Sequence, residues 1–273
     1  MIWATGLGGY RDQQGEDAQV GFTSQLGGAA LGVDHRVSDT TTVGALIGAS
    51  SSTLDTDTGS QSIDSTVYFA GLYGGFQQQG YFLNLALDAG ITHDDSKRIV
   101  LNNMVEGGTE QASGNYDGAF VSPSVTLGKD MKGLGGTVTP SITARYAGLF
   151  LGSYDEQGSA ADLSVDSRAV HVFDMRGQVA FAPASREMEN GRLDGLLRLG
   201  MEASVSSGEV DAELLGERLN SDANEERSAR AFIGADAAYQ SESGFRLFIG
   251  GEAGYDTDNA LTAEAHAGLK LPL

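Results

Sequence analysis

The chain has 273 residues, no cysteine and a formal net charge of −20 at pH 7. Without cysteine it cannot form disulfides, a thiolate metal site or a cysteine nucleophile. The negative charge argues against nucleic acid as a partner, because phosphate groups would be repelled. No run of about 18 apolar residues occurs, so the sequence predicts no transmembrane helix.

Apolar and polar residues alternate along most of the chain. Successive side chains of a β-strand point to opposite faces, so this alternation predicts strands with one apolar and one polar face. From Leu261 to Leu273 every odd position is apolar, and most even positions are polar, charged or small. All such runs together predict twelve strands, near 2–10, 24–36, 41–53, 63–77, 80–92, 115–129, 136–150, 167–182, 193–206, 227–240, 244–255 and 260–273.

For two strands, particular residues indicate which face points outward. Strand 63–77 permits two registers, and we expect the one that points Tyr68 and Phe76 outward, because it leaves an aromatic residue at each end. For the last strand, we expect the odd residues to form a lipid-facing seam against the first strand, around Trp3 and Leu7.

The predicted connections alternate between long acidic segments and mostly short ones. The short ones lie near 37–40, 78–79, 130–135 and 241–243, and the long ones near 11–23, 54–62, 93–114, 151–166 and 207–226. Long loops on one rim and tight turns on the other are typical of outer-membrane barrels. Inside the last long segment, the spacing of Val210, Leu214, Leu215 and Leu219 is compatible with a short helical turn.

Strand length favours a membrane barrel over a soluble β-sandwich or a lectin-like binding module. Most predicted strands are long, whereas sandwich strands usually have about 5–6 residues and membrane strands need about 9–11. The predicted fold class is all-β: a transmembrane, antiparallel, up-and-down β-barrel of twelve strands, forming a single domain over 1–273. An even number of strands places both termini at one rim, which we expect to be periplasmic.

The predicted barrel assigns a location to two sets of side chains, one at the lipid interfaces and one in the lumen. Aromatic residues near strand ends predict girdles at the lipid interfaces: Trp3, Tyr81, Phe173, Phe181, Tyr239, Phe245 and Tyr255. Charged residues within the strands predict a hydrated lumen: Asp34, Asp88, Arg145, Arg176, Arg198, Glu202, Arg230, Asp236, Arg246, Glu252, Glu264 and Lys270.

No catalytic or metal-binding pattern is present in the sequence. The His-x-Glu and His-Glu-x-x-His spacings of zinc enzymes are absent, as is the Gly-x-Ser-x-Gly nucleophile elbow. Asp55, Asp57 and Asp64 bracket one loop, but they supply too few oxygen ligands for a calcium site. We therefore predict no catalytic residue, no metal and no cofactor.

Several segments occur in the order and spacing of a known family. They are Trp3-Ala-Thr-Gly-Leu-Gly-Gly-Tyr10, Gly28-Ala-Ala-Leu-Gly-Val-Asp34, Val43-Gly-Ala-Leu-Ile-Gly48, Gly71-Leu-Tyr-Gly-Gly75, Gly80-Tyr-Phe-Leu83 and Ser96-Lys-Arg-Ile99. Together they resemble the C-terminal translocator domain of autotransporters, the type V secretion proteins. The resemblance extends over the whole chain and is densest before residue 100.

The resemblance implies a barrel in the outer membrane of a Gram-negative bacterium, in contact with lipid and lipopolysaccharide. Its pore would support secretion and surface display of a passenger that precedes residue 1, and a linker helix would thread the pore. Met1 is followed directly by a strand pattern, without the basic and apolar regions of a signal peptide. The chain is therefore either a processed or trimmed piece of a longer protein, which we expect, or not a secreted protein.

The resemblance also assigns an end signal that the barrel assembly machinery reads, at His266, Gly268, Leu271 and Leu273. Pro272 and the terminal leucine depart from the family pattern, which usually closes on Phe or Trp. Some family members cut their own linker with lumen carboxylates, but no cleavage motif can be matched here. A stand-alone porin or adhesin-like barrel is the alternative function.

Overall fold

A computed structural model describes residues 1–15, 20–215, 217–221 and 226–272 of the chain. Within them the elements are strands and turns, and no helix among them could cross a membrane. In chain order the strands are β1 Ile2–Gln13, β2 Phe22–Arg36, β3 Thr41–Thr56, β4 Gln61–Gln78, β5 Tyr81–Leu101, β6 Thr109–Lys129, β7 Met131–Gly133, β8 Gly136–Leu151, β9 Tyr154–Asp155, β10 Leu163–Val165, β11 Arg168–Pro183, β12 Arg186–Met188, β13 Gly191–Gly208, β14 Val210–Leu214, β15 Glu217–Ser221, β16 Glu226–Ser241, β17 Arg246–Asp256 and β18 Ala260–Leu271.

Twelve of the described strands close into one antiparallel barrel, which confirms the predicted fold class. Their order around the barrel is β1, β2, β3, β4, β5, β6, β8, β11, β13, β16, β17 and β18, and β18 pairs again with β1. The closing ladder runs from Ile2 opposite Leu271 to Gln13 opposite Ala260. Every barrel strand therefore has two neighbours, and its backbone N–H and C=O groups find partners without water.

Contacts between strands that are not neighbours identify the inner face of the barrel. The indole N–H of Trp3 on β1 donates to the hydroxyl of Tyr73 on β4, at 2.7 Å. Arg176 on β11 reaches Glu252 on β17, at 2.5 Å. Such side chains meet only inside a closed barrel. The alternate residues, including the highly exposed Leu199, therefore form an apolar outer surface.

Inward aromatic rings lie against glycines of the neighbouring strand. A Cβ atom at Gly32 on β2 would lie 2.3 Å from the ring of Trp3 on β1. A Cβ atom at Gly200 on β13 would lie 2.4 Å from the ring of Phe232 on β16. The large rings fit the lumen because the adjoining wall has no side chain there, which accounts for glycine within strands that would otherwise disfavour it.

The two rims of the barrel differ. The turn rim carries the connections at 37–40 and 79–80 and both described chain ends, since Ile2 pairs with Val33 near the end of β2. The segments between β6 and β8 and between β16 and β17 also lie at the turn rim, whereas the loop rim carries the alternate connections, including 57–60 and 102–108. The chain ends therefore lie at the same rim, as an even strand number requires.

Two segments predicted as long loops are mostly strand. β5 and β6 remain paired to Leu101 and Thr109, so the predicted loop 93–114 is a protruding hairpin. β3 and β4 likewise pair to Asp55 and Ser62. The apolar face ends where the hairpin leaves the hydrocarbon, but backbone pairing needs no apolar face in water. The alternation therefore underestimates strand length.

A four-stranded sheet caps part of the loop rim, in the order β15, β14, β10 and β9. The helical turn predicted there is wrong, because β14 pairs with β15 with Ala212 opposite Leu219. Val210, Ala212 and Leu214 alternate with two acids, and this period of two outweighs the helical spacing.

The capping sheet is fixed to the barrel by a charged contact. Arg98 on the protruding part of β5 contacts Glu156 beside β9, at 2.5 Å, and Glu156 is almost completely buried. The hydrogen bond to Glu156 raises the pKa of the Arg98 guanidinium. Nearby, the rings of Tyr116 and Tyr154 stack with centroids 4.6 Å apart. The sheet is therefore held by a buried ion pair and an aromatic stack.

Candidate functional site

The inner wall of the barrel carries a carboxylate that is surrounded by arginines. Glu252 on β17 has only 4% of its side chain exposed. Arg176 on β11 binds it with two nitrogens, at 3.0 and 2.5 Å. Arg230 on β16 approaches to 3.4 Å and Arg198 on β13 to 3.7 Å. Charge-assisted contacts of this kind compensate the desolvation of a carboxylate inside the barrel.

Further acids extend this group into a belt, here called the charged belt and comprising Arg176, Arg198, Glu202, Arg230, Asp236, Glu252, Glu264 and His266. Glu202 lies 3.4 Å from Arg230 and 3.7 Å from Arg176. Asp236 lies 3.1 Å from Arg198 and 3.2 Å from His266. Glu264 lies 3.3 Å from Arg230. The belt crosses β11, β13, β16, β17 and β18, so it lines one side of the lumen.

A polar cavity of about 320 Å³ adjoins the charged belt. Its lining includes Arg11, Arg145, Glu202, Arg230 and Asp256. Arg145 itself holds Asp174 at 2.6 Å across the β8–β11 pair. The lumen on this side is therefore polar and roomy enough to hold water.

The opposite wall of the lumen carries few charged side chains. Along β2, β3 and β4 the inner positions are largely glycine, alanine, serine and apolar residues, as in the run Gly28, Ala30 and Gly32. Asp88 on β5 is the exception in the middle of this wall, with its carboxylate next to Gly71. In the described part of the chain, no hydrogen bond or ion pair is found for Asp88.

The pairing register places all twelve predicted lumen residues on the inner face. Arg246 on β17 lies 3.8 Å from Asp194, and Lys270 lies 3.2 Å from Asp34. Several partners were not among the predicted residues: Arg11, Tyr73, Asp174, Asp194 and Asp256. Asp174, Asp194 and Asp256 have the parity of predicted lumen residues on the same strands, and Tyr73 lies on the face of its strand opposite to the predicted outward residues, so their positions could be found from the sequence. That of Arg11 could not, because the pattern of β1 does not distinguish its two faces.

The prediction of Trp3 as an outward girdle residue is wrong. Trp3 lies opposite Lys270 and Gly32, on the inner face, and its indole N–H donates to Asp34 and Tyr73. Leu7 also faces inward, opposite His266, so the seam expected around Trp3 and Leu7 is not lipid-facing at these positions. Both faces of β1 carry apolar residues, which left its orientation undetermined by pattern.

The other predicted girdle residues lie near strand ends on the outer side. Tyr81, Phe173 and Tyr255 are exposed there, and Phe181 and Tyr239 occupy outward positions opposite leucines of β13. Phe245 lies in the turn just before β17. On β1 the outward aromatic residue is Tyr10, which is exposed opposite Ala263 and Gln25.

The predicted end signal lies on both faces of β18. His266 and Gly268 occupy inner positions, opposite Leu7 and Thr5, whereas Leu271 points outward and is exposed. A Cβ atom at Gly268 would lie 2.5 Å from the ring of Phe248 on β17. Leu273 lies outside the described residues.

Three solved translocator structures share this fold. The translocator domain of the autotransporter NalP from Neisseria meningitidis aligns with a TM-score of 0.77 and 14% identity, over 100% of this chain and 88% of that chain. The β-domain of the Bordetella autotransporter BrkA aligns with a TM-score of 0.70 and 14% identity, over 98% of this chain and 97% of that one. The transport unit of AIDA-I from Escherichia coli gives 0.54 and 11%, over 100% and 90%.

Sequence comparison identifies the family directly. No curated protein sequence matches the chain. The family model described as the autotransporter beta-domain, however, matches residues 2–252, from the start of β1 into β17. The closed barrel, its inner charged belt and this match agree: the chain belongs to the autotransporter β-domain family and is an outer-membrane translocator barrel.

Proposed function

We propose that residues 1–273 act as a single translocator domain, which inserts into the outer membrane and carries an N-terminal passenger to the cell surface. The family match supports this proposal most strongly, since autotransporter β-domains are linked to such a passenger. The barrel contributes a polar interior and an apolar exterior, the arrangement that a hydrated pore in lipid requires.

The proposed orientation puts the turn rim in the periplasm and the loop rim outside the cell. A passenger joined before Met1 would then start from the periplasmic side, where the turns are short. The acidic segments of the loop rim, including 207–226, would face the medium and the lipopolysaccharide layer. Lipid would contact the outer wall around residues such as Leu72 and Ile233, which are exposed there.

We propose that the lumen holds the linker helix between its two unlike walls. The small and apolar inner positions of β2 to β4 offer room for a helix backbone, and the charged belt offers ion pairs to polar helix residues. Asp88 has no charged partner in the described structure, so a lysine or arginine of the linker would provide one. A carboxylate in a pore wall is stabilised by such a counter-ion.

The barrel itself performs no chemistry in this proposal. Asp236, Glu252 and Glu264 all contact arginines, so each of these carboxylates already has a partner in the lumen. The terminal strand is proposed to be the segment that the barrel assembly machinery reads, through His266, Gly268, Leu271 and Leu273.

Surface display of a fused reporter tests the proposed function. The control is the barrel alone, without the reporter. Its insertion is checked by heat-modifiable migration on a gel. The expected result is that a short epitope joined before Met1 is detected by antibody on intact cells. If the barrel inserts but the epitope stays inaccessible until the cells are permeabilised, the translocator function is refuted.

A further inference from the structure

The seam that closes the barrel has mainly small residues in the middle of its outer face. On the outer face Ala4, Gly6 and Gly8 of β1 lie opposite Leu269, Ala267 and Ala265 of β18. Glycine-rich and alanine-rich strands interlock weakly, so side-chain packing specifies their register poorly. A shift by two residues would keep every side chain on its present face and most of the backbone hydrogen bonds. The register of β18 against β1 must therefore depend on other contacts across the seam.

Two ion pairs cross this seam on the inner face, and each one reaches over a strand. Lys270 on β18 extends across β1 to Asp34 on β2, with Nζ 3.2 Å from Oδ2. Arg11 on β1 extends across β18 to Asp256 on β17, with Nη2 3.0 Å from Oδ2. One pair lies near the turn rim and the other near the loop rim. Together they join the first two strands to the last two at both ends of the seam.

The carboxylate near the turn rim is held in place by groups other than its ion-pair partner. Oδ1 of Asp34 accepts a hydrogen bond from the Trp3 indole N–H at 3.2 Å and another from the Tyr73 hydroxyl on β4. Asp34 is therefore held by residues of β1 and β4, on one side of the seam. Lys270 contacts it from β18, on the other side.

The carboxylate near the loop rim is held in a similar way. Asp256 has only 2% of its side chain exposed. Its Oδ1 accepts hydrogen bonds from the backbone N–H groups of Asp258 at 3.0 Å and Ala260 at 2.9 Å. Asp256 is therefore held by the turn between β17 and β18, on one side of the seam. Arg11 contacts it from β1, on the other side.

We propose that these two ion pairs set the register in which β18 joins β1. A slip of two residues moves each cation by about 6.6–6.8 Å along the seam. Both ion pairs would break at once, and the buried Asp256 would lose its counter-ion, which is strongly unfavourable. The pairs therefore discriminate between registers that the small residues of the seam do not distinguish. This inference concerns barrel closure and holds whatever the pore transports.

Disulfide trapping tests the proposal directly, because the natural chain contains no cysteine. Gly8→Cys with Ala265→Cys reports the native register, and Gly8→Cys with Ala267→Cys or Ala263→Cys reports a slip of two residues in either direction. Position 8 accepts a Cβ atom, whose closest neighbour would be 3.6 Å away. Folded barrels are oxidised in detergent, and each crosslinked peptide is quantified by mass spectrometry.

The comparison uses variants that either remove or keep the two positive charges. R11M/K270M replaces both cations with unbranched, uncharged side chains, and we expect its ratio of slipped to native crosslink to rise at least about tenfold, since register preference is lost. R11K/K270R keeps both charges and should retain the native crosslink. Arg145→Met, which removes an inner cation of β8 that belongs to neither ion pair, should do so too.

Each possible result of this experiment either supports or overturns the proposal. A folded R11M/K270M barrel that shows only the native crosslink overturns the proposal, as does slippage of equal size in Arg145→Met. If R11M/K270M fails to fold, the single variants Arg11→Met and Lys270→Met decide. Slipped crosslinks in either single variant support the proposal, and native crosslinks alone in both refute it.

Discussion

Glu252 illustrates how single residues maintain charge inside this barrel. It approaches three arginines from three other strands, at 2.5, 3.4 and 3.7 Å. Burial penalises an isolated carboxylate heavily, and close guanidinium groups with good geometry offset that penalty. Loss of this one side chain would leave Arg176, Arg198 and Arg230 facing each other with less counter-charge.

The first prediction concerns this carboxylate. We expect Glu252→Ala to lower the free energy of unfolding by about 3–5 kcal/mol, because it leaves the mostly buried Arg176 without its main partner and removes one partner from Arg198 and Arg230. Glu264→Ala is the matched control: its side chain is 58% exposed to the lumen. This control should lower the free energy of unfolding by under about 1 kcal/mol. Urea titration of barrels folded in detergent measures both, and equal losses would contradict the assignment.

A second prediction concerns the glycine beneath the only tryptophan. A methyl group at Gly32 would overlap the ring of Trp3, so Gly32→Ala should displace the indole and cost about 1–3 kcal/mol through overpacking. Because Trp3 is the single tryptophan, its fluorescence emission reports the displacement. Gly27→Ala lies on the same strand, where an added Cβ meets nothing within 4 Å, and should leave the emission unchanged. An unshifted spectrum in Gly32→Ala would argue against the contact.

At the scale of the strand, alternation predicted most of the structure. Strand existence and the assignment of faces followed from the period of two, as in strand 63–77, where Tyr68 and Phe76 are exposed on the outer side as expected. The hairpin ends beyond the membrane were underestimated, because both faces there meet water and the apolar signal disappears. The strand β14 was missed because a helical spacing of leucines overlapped its alternation.

The third prediction tests the outer face of a strand. Leu199 points outward near the middle of β13, and Leu199→Arg should lower the free energy of unfolding in lipid by about 2–4 kcal/mol. Gln25 points outward beside Tyr10, near the loop-side end of β2, and Gln25→Arg should cost about 0–1 kcal/mol. Denaturant titration in phospholipid vesicles gives both values. The outer-wall assignment fails if the two substitutions cost the same.

At the scale of the whole molecule, the barrel separates an apolar outer wall from an inner space with two unlike sides. The charged belt lies on the β11–β18 side, and the small inner positions lie on β2 to β4. The family match and the closed topology together make this a translocator barrel, while its orientation in the membrane is an expectation from the rims.

The fourth prediction tests that orientation. Met104 at the loop rim and Leu134 at the turn rim are both highly exposed, and the natural chain has no cysteine. A membrane-impermeant maleimide should label Met104→Cys in intact cells and label Leu134→Cys only after permeabilisation. Labelling in the reverse pattern would place the turn rim outside the cell.

The sequence by itself determined the number of barrel strands, the inner and outer faces of most of them, and the family. Each of these depends on local alternation or short motifs, which one segment carries without its neighbours. Tertiary structure alone decided the orientation of β1 and the identity of the ion-pair partners. Trp3 and Lys270 lie at opposite ends of the chain, and Arg176 and Glu252 are 76 residues apart. Only closure of the barrel brings such side chains together, because their proximity depends on the register of every strand between them.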